Sequence, residues 1–180
     1  INITNVYERL LRLFPEMPYT YSFVANIAYK IEGNTENARK IIKYIENIFP
    51  KDDSHKWFEY DMNLHDSKYD KALQHIIDNG DSLHFSQGRI TPKERSIGDI
   101  YLLMGDKQKA RAYYLSAIKT LSRLEGYDTD PRYHASIGLL HALVGDTSIA
   151  INESRMAVEL YPDRKDAFIS DWFEIDLARV

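Results

Sequence analysis

The chain has 180 residues, 44% of them hydrophobic, and a formal net charge of −4 with a pI near 5.9. That length suits one domain or one short array, and the apolar fraction is enough for a continuous core. The acidic balance argues against nucleic acid or an anionic membrane surface as partner, and the lack of cysteine excludes disulfides, a Cys-based zinc site and a thiol nucleophile.

The longest apolar runs fall well short of the roughly 18 residues a bilayer span requires. The opening INITNVYERLLRLFPEMP has no basic start followed by an apolar block, so no secretion signal is visible and a soluble cytoplasmic location is expected. The first residue is Ile rather than Met, which suggests a fragment.

Residues 1–15 place Ile3, Val6, Tyr7, Leu10, Leu11 and Phe14 at helical spacing before Pro15 and Pro18, which predicts an orphan helix. A first helical hairpin is predicted over 19–52. Its first helix carries Phe23, Ala25, Ile27, Ala28 and Tyr29, and its second Ala38, Ile41, Ile42 and Ile45 up to Pro50. Gly33-Asn34 between them closes one helix and caps the next. A second hairpin over 53–86 is the most degenerate. Trp57, Phe58, Tyr60, Met62 and Leu64 form its first helix, Asp66-Ser67 its turn, and Tyr69, Ala72, Leu73, Ile76 and Ile77 its second helix, ended by Asn79-Gly80. Residues 81–90 carry the weakest helical pattern in the chain and read as a loop.

A third hairpin is predicted over 91–124, with Thr91 as cap and Pro92 at the first helical position. Gly105-Asp106 turns the chain into a helix bearing Ala110, Tyr114, Ala117, Ile118 and Leu121 that runs to about Leu124. A fourth, over 131–164, opens the same way at Asp130-Pro131 and stops at Pro162. The tail, 165–180, puts Phe168, Trp172, Ile175 and Leu177 on one stripe and reads as a truncated further unit or an end cap.

These hairpins repeat. IGDIYLLMGD at Ile97–Asp106 returns as IGLLHALVGD at Ile137–Asp146, with five of ten positions identical. The small residue opening each second helix, Ala38, Ala72, Ala110 and Ala150, recurs at spacings of 34, 38 and 40 residues. Small residues belong where two antiparallel axes approach, and large ones where they interlock. Gly98, Ala110 and Ala117 are the small set of the third hairpin, and Gly138, Ala150 and Ala157 that of the fourth.

This pattern resembles the tetratricopeptide repeat family, whose unit is a helix-turn-helix of about 34 residues. The third hairpin matches the family's pattern at Ile97-Gly98, Tyr101, Ala110, Tyr114 and Ala117, with Ser122 where the final Pro is usual. The fourth matches at Ile137-Gly138, Ala150, Ala157 and Pro162, with His141 and Ser154 at aromatic positions. The first matches at Tyr29, Ala38 and Pro50, and the second keeps little beyond Ala72. The resemblance implies an all-α fold, an α-α superhelix or solenoid of about four hairpins plus flanking helices. The stretches from Asp130-Pro131-Arg132 to Ala167-Phe168 and Asp176-Leu177-Ala178-Arg179-Val180 are similar to the C-terminal repeat arrays of multidomain bacterial signalling chains. The cyclase-like or DNA-binding effectors of such chains are not in this sequence.

The resemblance also implies a concave groove lined by the first helices, which accepts a protein or peptide segment. Phe23, Ile27, Lys30, Trp57, Asp61, Arg95, Asp99, Arg132 and Leu139 are the expected groove residues. The competing reading makes Phe23 and Trp57 inter-repeat core and the charges a solvated face. The family's carboxylate clamp of Lys, Asn and Arg is not expected, because Phe23 and Ile27 hold those places in the first hairpin.

No two of the six histidines stand at the i, i+4 spacing of a helical zinc site. No phosphate loop, nucleophile elbow or Ser-His-Asp order stands out. The expectation is therefore a non-enzymatic interaction scaffold without cofactor or metal, its partner a protein or peptide or a second copy of the chain. Two alternatives remain: a ligand-binding or enzymatic pocket among Trp57, Asp61, His65 and Arg95, and a dimerisation module built on exposed end helices.

Overall fold

A computed structural model describes residues 9, 11–50, 56–86, 88–126, 128–161 and 167–180, without the side chains of 56, 57 and 167–169. Most of the predicted N-terminal helix over 1–15 lies outside the described residues; residues 9 and 11–13 are helical. The described residues form nine longer helices and one short β-hairpin in two compact units, the first ending at Asn79 and the second beginning at Gly80.

In the first unit, α1 (Pro18–Glu32) and α2 (Glu36–Ile48) form one hairpin, and α3 (Lys56–His65) and α4 (Tyr69–Asn79) another. Pro18 occupies the first turn of α1, where its missing N–H costs nothing. Gly33 closes that helix in the left-handed conformation, with φ 68°. The Glu36 N–H then donates to the Asn34 side chain at 3.1 Å and so starts α2. Between α3 and α4 the left-handed place is taken by Ser67, with φ 57°. Ala25, Tyr29, Ala38, Ile42, Ile45 and Met62 make the buried core of this unit.

In the second unit, α5 (Lys93–Leu103) pairs with α6 (Lys107–Leu121), α7 (Pro131–Val144) with α8 (Thr147–Leu160), and α9 (Ala167–Arg179) packs on both α8 and α7. Asp106 caps α6 by accepting from the Lys109 N–H at 3.0 Å. Asp130 caps α7 by accepting from the Arg132 N–H at 2.9 Å, with Pro131 in the first turn. The four ruler alanines, Ala38, Ala72, Ala110 and Ala150, are all at most 1% exposed. They mark where the two helices of each hairpin touch.

Gly98 and Gly138 sharpen the same point. A Cβ on Gly98 would stand 2.6 Å from the Tyr114 ring, and one on Gly138 would meet Ser154 Oγ and lie 3.1 Å from the Ala150 carbonyl oxygen. At either place a side chain would run into the partner helix of its hairpin.

Two local expectations are corrected. Residues 83–92 are neither helix nor plain loop. β1 (Leu83–Phe85) pairs antiparallel with β2 (Ile90–Pro92), Leu83 opposite Pro92 and Phe85 opposite Ile90. Thr91 and Pro92 therefore end a strand, and α5 starts at Lys93 with Pro92 as its cap residue. The third hairpin's second helix also stops earlier than expected. Ser122 follows Leu121 as the cap residue and donates its hydroxyl to the Ile118 carbonyl at 2.8 Å.

Candidate functional site

The residues expected to line a groove fall into separate groups. On α1, Phe23, Ile27 and Lys30 follow the i, i+4, i+7 spacing of one face. Phe23 is 44% exposed and lines an apolar hollow with Phe14, Met17, Tyr19 and Thr20. No cation or amide of the carboxylate-clamp type stands among those residues. Ile27 is half-buried, and Lys30 is exposed, its ammonium 5.9 Å from the Tyr29 ring centre.

Asp61 and His65 on α3 come to the same tyrosine. The His65 ring lies 5.3 Å from that of Tyr29. Burial, and then the Asp61 charge, push the Tyr29 hydroxyl above its usual range. Trp57 belongs to α3, but its side chain lies outside the described residues.

In the second unit, Arg95 and Asp99 are ion-paired along α5 at 3.7 Å. Tyr114 donates its hydroxyl to Asp99 at 2.9 Å. Desolvation raises the Asp99 carboxyl above the ordinary carboxylate range, against the opposing pull of Arg95 and Tyr114. Arg132 is bound to Asp130, with the Nη2 to Oδ2 contact at 2.6 Å. Burial raises the Asp130 carboxyl, but its hydrogen bonds from Arg132 outweigh this and leave it below the usual range. Leu139 is half-buried on α7. Of the residues expected to share a pocket with Trp57, Asp61 and His65 meet at Tyr29 in the first unit, and Arg95 is held by Asp99 in the second.

Two constellations escaped the sequence reading. The first is a polar network in the first unit. Asp66 accepts from Thr35 Oγ1 at 2.9 Å, Arg39 Nη2 at 3.0 Å and Lys68 Nζ at 2.6 Å. Arg39 also donates to Asn63 at 3.0 Å. Burial works to raise the Asp66 carboxyl, but the three donors overcome it and hold it at about 2. Beside this network lies an open cleft of about 450 Å³ bordered by Arg39, Glu59, Asn63, Lys68, His75 and Asp78. Its charges are largely spent on near neighbours. Asp66 takes Arg39 and Lys68, Glu59 faces His75 at 3.6 Å, and Asp78 accepts from Gln74 at 2.8 Å.

The second constellation is the seat of the β-hairpin in the second unit. Ile90 is fully buried in the core of α6 and α7, beside Tyr114, Leu121, Tyr133 and Ile137. Its backbone N–H donates to Ser136 Oγ on α7 at 3.0 Å. Arg89 makes a two-pronged ion pair with Asp176 on α9, its Nε at 2.8 Å from Oδ2 and its Nη2 on Oδ1. Gly88 lies against Trp172 of the same helix, whose ring a Cβ would meet at 3.2 Å. Ser136 stands one turn after Arg132 and one before Leu139, on the face of α7 where groove residues were expected. No pattern within 81–92 signals these contacts, because the polar partners lie 46 or more residues further on.

Among the described residues, no group of three or more His, Asp or Glu could hold a metal ion, and no helix is long and apolar enough to cross a membrane.

Helical hairpins in series, closed by small residues at fixed places, define an all-α repeat protein. Comparison with known proteins narrows the class. A sequence model of the tetratricopeptide repeat matches residues 96–120, most of α5 and α6. A thermophilic tetratricopeptide protein of Thermus thermophilus (TTC0263) superposes with a TM-score of 0.58 at 18% identity, covering 97% of this chain and 88% of that one. The Cut9–Hcn1 hetero-tetramer of the APC/C superposes with a TM-score of 0.53 at 16% identity, covering 98% of this chain and 35% of that one. No curated protein matches the chain by sequence. Residues 96–120 thus match the tetratricopeptide repeat, and the chain shares the all-α helical-hairpin fold of the tetratricopeptide proteins it superposes on.

Proposed function

We propose that this chain is a non-enzymatic, cytoplasmic scaffold that binds an extended protein segment on the faces of its first helices, in the service of a partner or of a linked effector domain. One observation carries the reading. In the second unit the segment Gly88–Ile90, which leads from the hairpin turn into β2, is already held on α7 and α9 by a buried apolar side chain, a main-chain hydrogen bond and a charge pair. Those are the three kinds of contact by which grooves read peptides. The exposed face of α1, with Phe23, Ile27 and Lys30, offers comparable chemistry, and Trp57 and Asp61 on α3 extend it in this proposal. Arg95, Asp99, Arg132 and Leu139 are the corresponding candidates in the second unit. The four hairpins are taken as the units 19–52, 53–86, 91–124 and 131–164 of one array, with 1–15 and 165–180 flanking it.

Affinity capture from the source cells tests this, comparing wild type with a Phe23→Ala/Ile27→Ala/Lys30→Glu variant whose helical circular dichroism is intact. The scaffold reading expects one protein recovered reproducibly by wild type and at least tenfold less by the variant. Capture of nothing, or equal capture by both, overturns it.

A further inference from the structure

The Arg89 contact has a feature that packing alone does not require. Asp176 is 1% exposed, and a buried carboxylate tolerates removal from water only when its partner's geometry is good. Arg89 supplies that geometry from a segment 87 residues away in sequence, with Arg179 a second, more exposed cation at 3.5 Å. A buried ion pair contributes little net stability compared with apolar residues of the same volume. What it adds is selectivity, since a planar guanidinium fits a carboxylate through two parallel bonds and an ammonium does not. Ser136 reads the next residue's main chain, and the pocket of Tyr133, Ile137 and Leu121 takes an aliphatic side chain. Trp172 admits no Cβ at the preceding residue without yielding. The contacts together select glycine, arginine and an aliphatic residue where a hairpin turn leads into a strand.

We infer that Asp176, Ser136 and Trp172 form a recognition site for an arginine-bearing hairpin segment of a partner protein, and that the chain's own Gly88-Arg89-Ile90 is its resident occupant. The inference rests on the scaffold reading and adds the partner's chemistry to it. The resident segment is tethered, so its effective concentration is on the order of millimolar. A partner segment competes against that concentration, and its apparent affinity is lowered by the fraction of time the site is filled. Weakening the resident segment therefore strengthens binding in trans.

The test uses the full chain and a fluorescent decapeptide of sequence LHFSQGRITP, followed by anisotropy. Arg89→Ala is expected to bind the peptide at least tenfold more tightly than wild type. Adding Asp176→Ala to that variant, or placing Ala for Arg in the peptide, is expected to abolish the gain. On the wild-type chain, millimolar peptide is expected to speed hydrogen exchange at the Ile90 amide while the amides of α6 stay unchanged. That arm decides the matter if Arg89→Ala does not fold. The inference is overturned if folded Arg89→Ala binds no better than wild type, if the Arg-less peptide binds equally, or if Ile90 exchange is unmoved. Dimerisation of Arg89→Ala without peptide, seen by light scattering, also overturns it, by making a second copy the occupant. Failure here alongside successful capture of a partner removes only this site, whereas failure to capture any partner removes the scaffold reading.

Discussion

Gly98 and Gly138 do the same work at equivalent places in two hairpins, yet they differ in what faces them. Opposite Gly98 the nearest atoms belong to the Tyr114 ring, a side chain tied by its hydroxyl to Asp99, and a single backbone atom, the Ala110 carbonyl oxygen, follows at 3.2 Å. Opposite Gly138 the Ser154 amide nitrogen and the Ala150 carbonyl both lie 3.1 Å from a virtual Cβ, and backbone of a packed helix cannot move aside as a ring can. Gly98→Ala is expected to cost about 1–2 kcal/mol and Gly138→Ala about 3 kcal/mol, at the upper end of what overpacking costs. Urea denaturation of the two variants measures this, and the reverse order would contradict the contact geometry. These glycines were legible in the sequence because small residues at fixed intervals are a local pattern. The same holds for Ala38, Ala72, Ala110 and Ala150. Asp66 was not legible, because its meaning comes from Thr35 and Arg39, 31 and 27 residues away.

At the level of elements, the Asp66 network ties the start of α2 to the turn between α3 and α4, and so links the two hairpins of the first unit. Its carboxyl sits at about 2 in the folded chain against an ordinary 3.8. The folded value is the lower one, so the network's stabilisation is fully present above the unfolded value and is lost as pH falls toward the folded value. The loss belongs to the window from about pH 4 down to about pH 2. Asp66→Ala is expected to cost about 2 kcal/mol near neutrality, from lost charge-assisted hydrogen bonds. The variant should approach wild type in stability at the acid end of that window. Thermal melts of both proteins across this range check it, and a gap that stays constant with pH would argue against the ionised network. The β-hairpin makes a parallel case about legibility. Helical periodicity marks the elements on either side of 83–92 and lapses between them. Nothing local could say that the break folds into two strands, because Ile90, Arg89 and Gly88 are held by α7 and α9.

For the molecule as a whole, the repeat and the fold are legible in the sequence because both rest on local periodicity, whereas a binding face carries no periodic signal of its own. Arrays of helical hairpins gain stability mainly from each unit and its nearest neighbours. The chain holds two tryptophans, Trp57 on α3 of the first unit and Trp172 on α9 of the second. Each can therefore report on one unit when the other is replaced by Phe. In a Trp172→Phe background, Asp66→Ala is expected to lower the stability seen by Trp57 by about 2 kcal/mol. In a Trp57→Phe background, the same substitution should shift the stability seen by Trp172 by no more than about 0.5 kcal/mol, the range over which distant sites are independent. Gly138→Ala should act in the opposite sense, on Trp172 and little on Trp57. Fluorescence-monitored urea titrations of these four double variants separate the cases. Equal shifts at both reporters would mean that the 180 residues unfold as one cooperative block, and a local substitution would then carry no information about which unit it occupies.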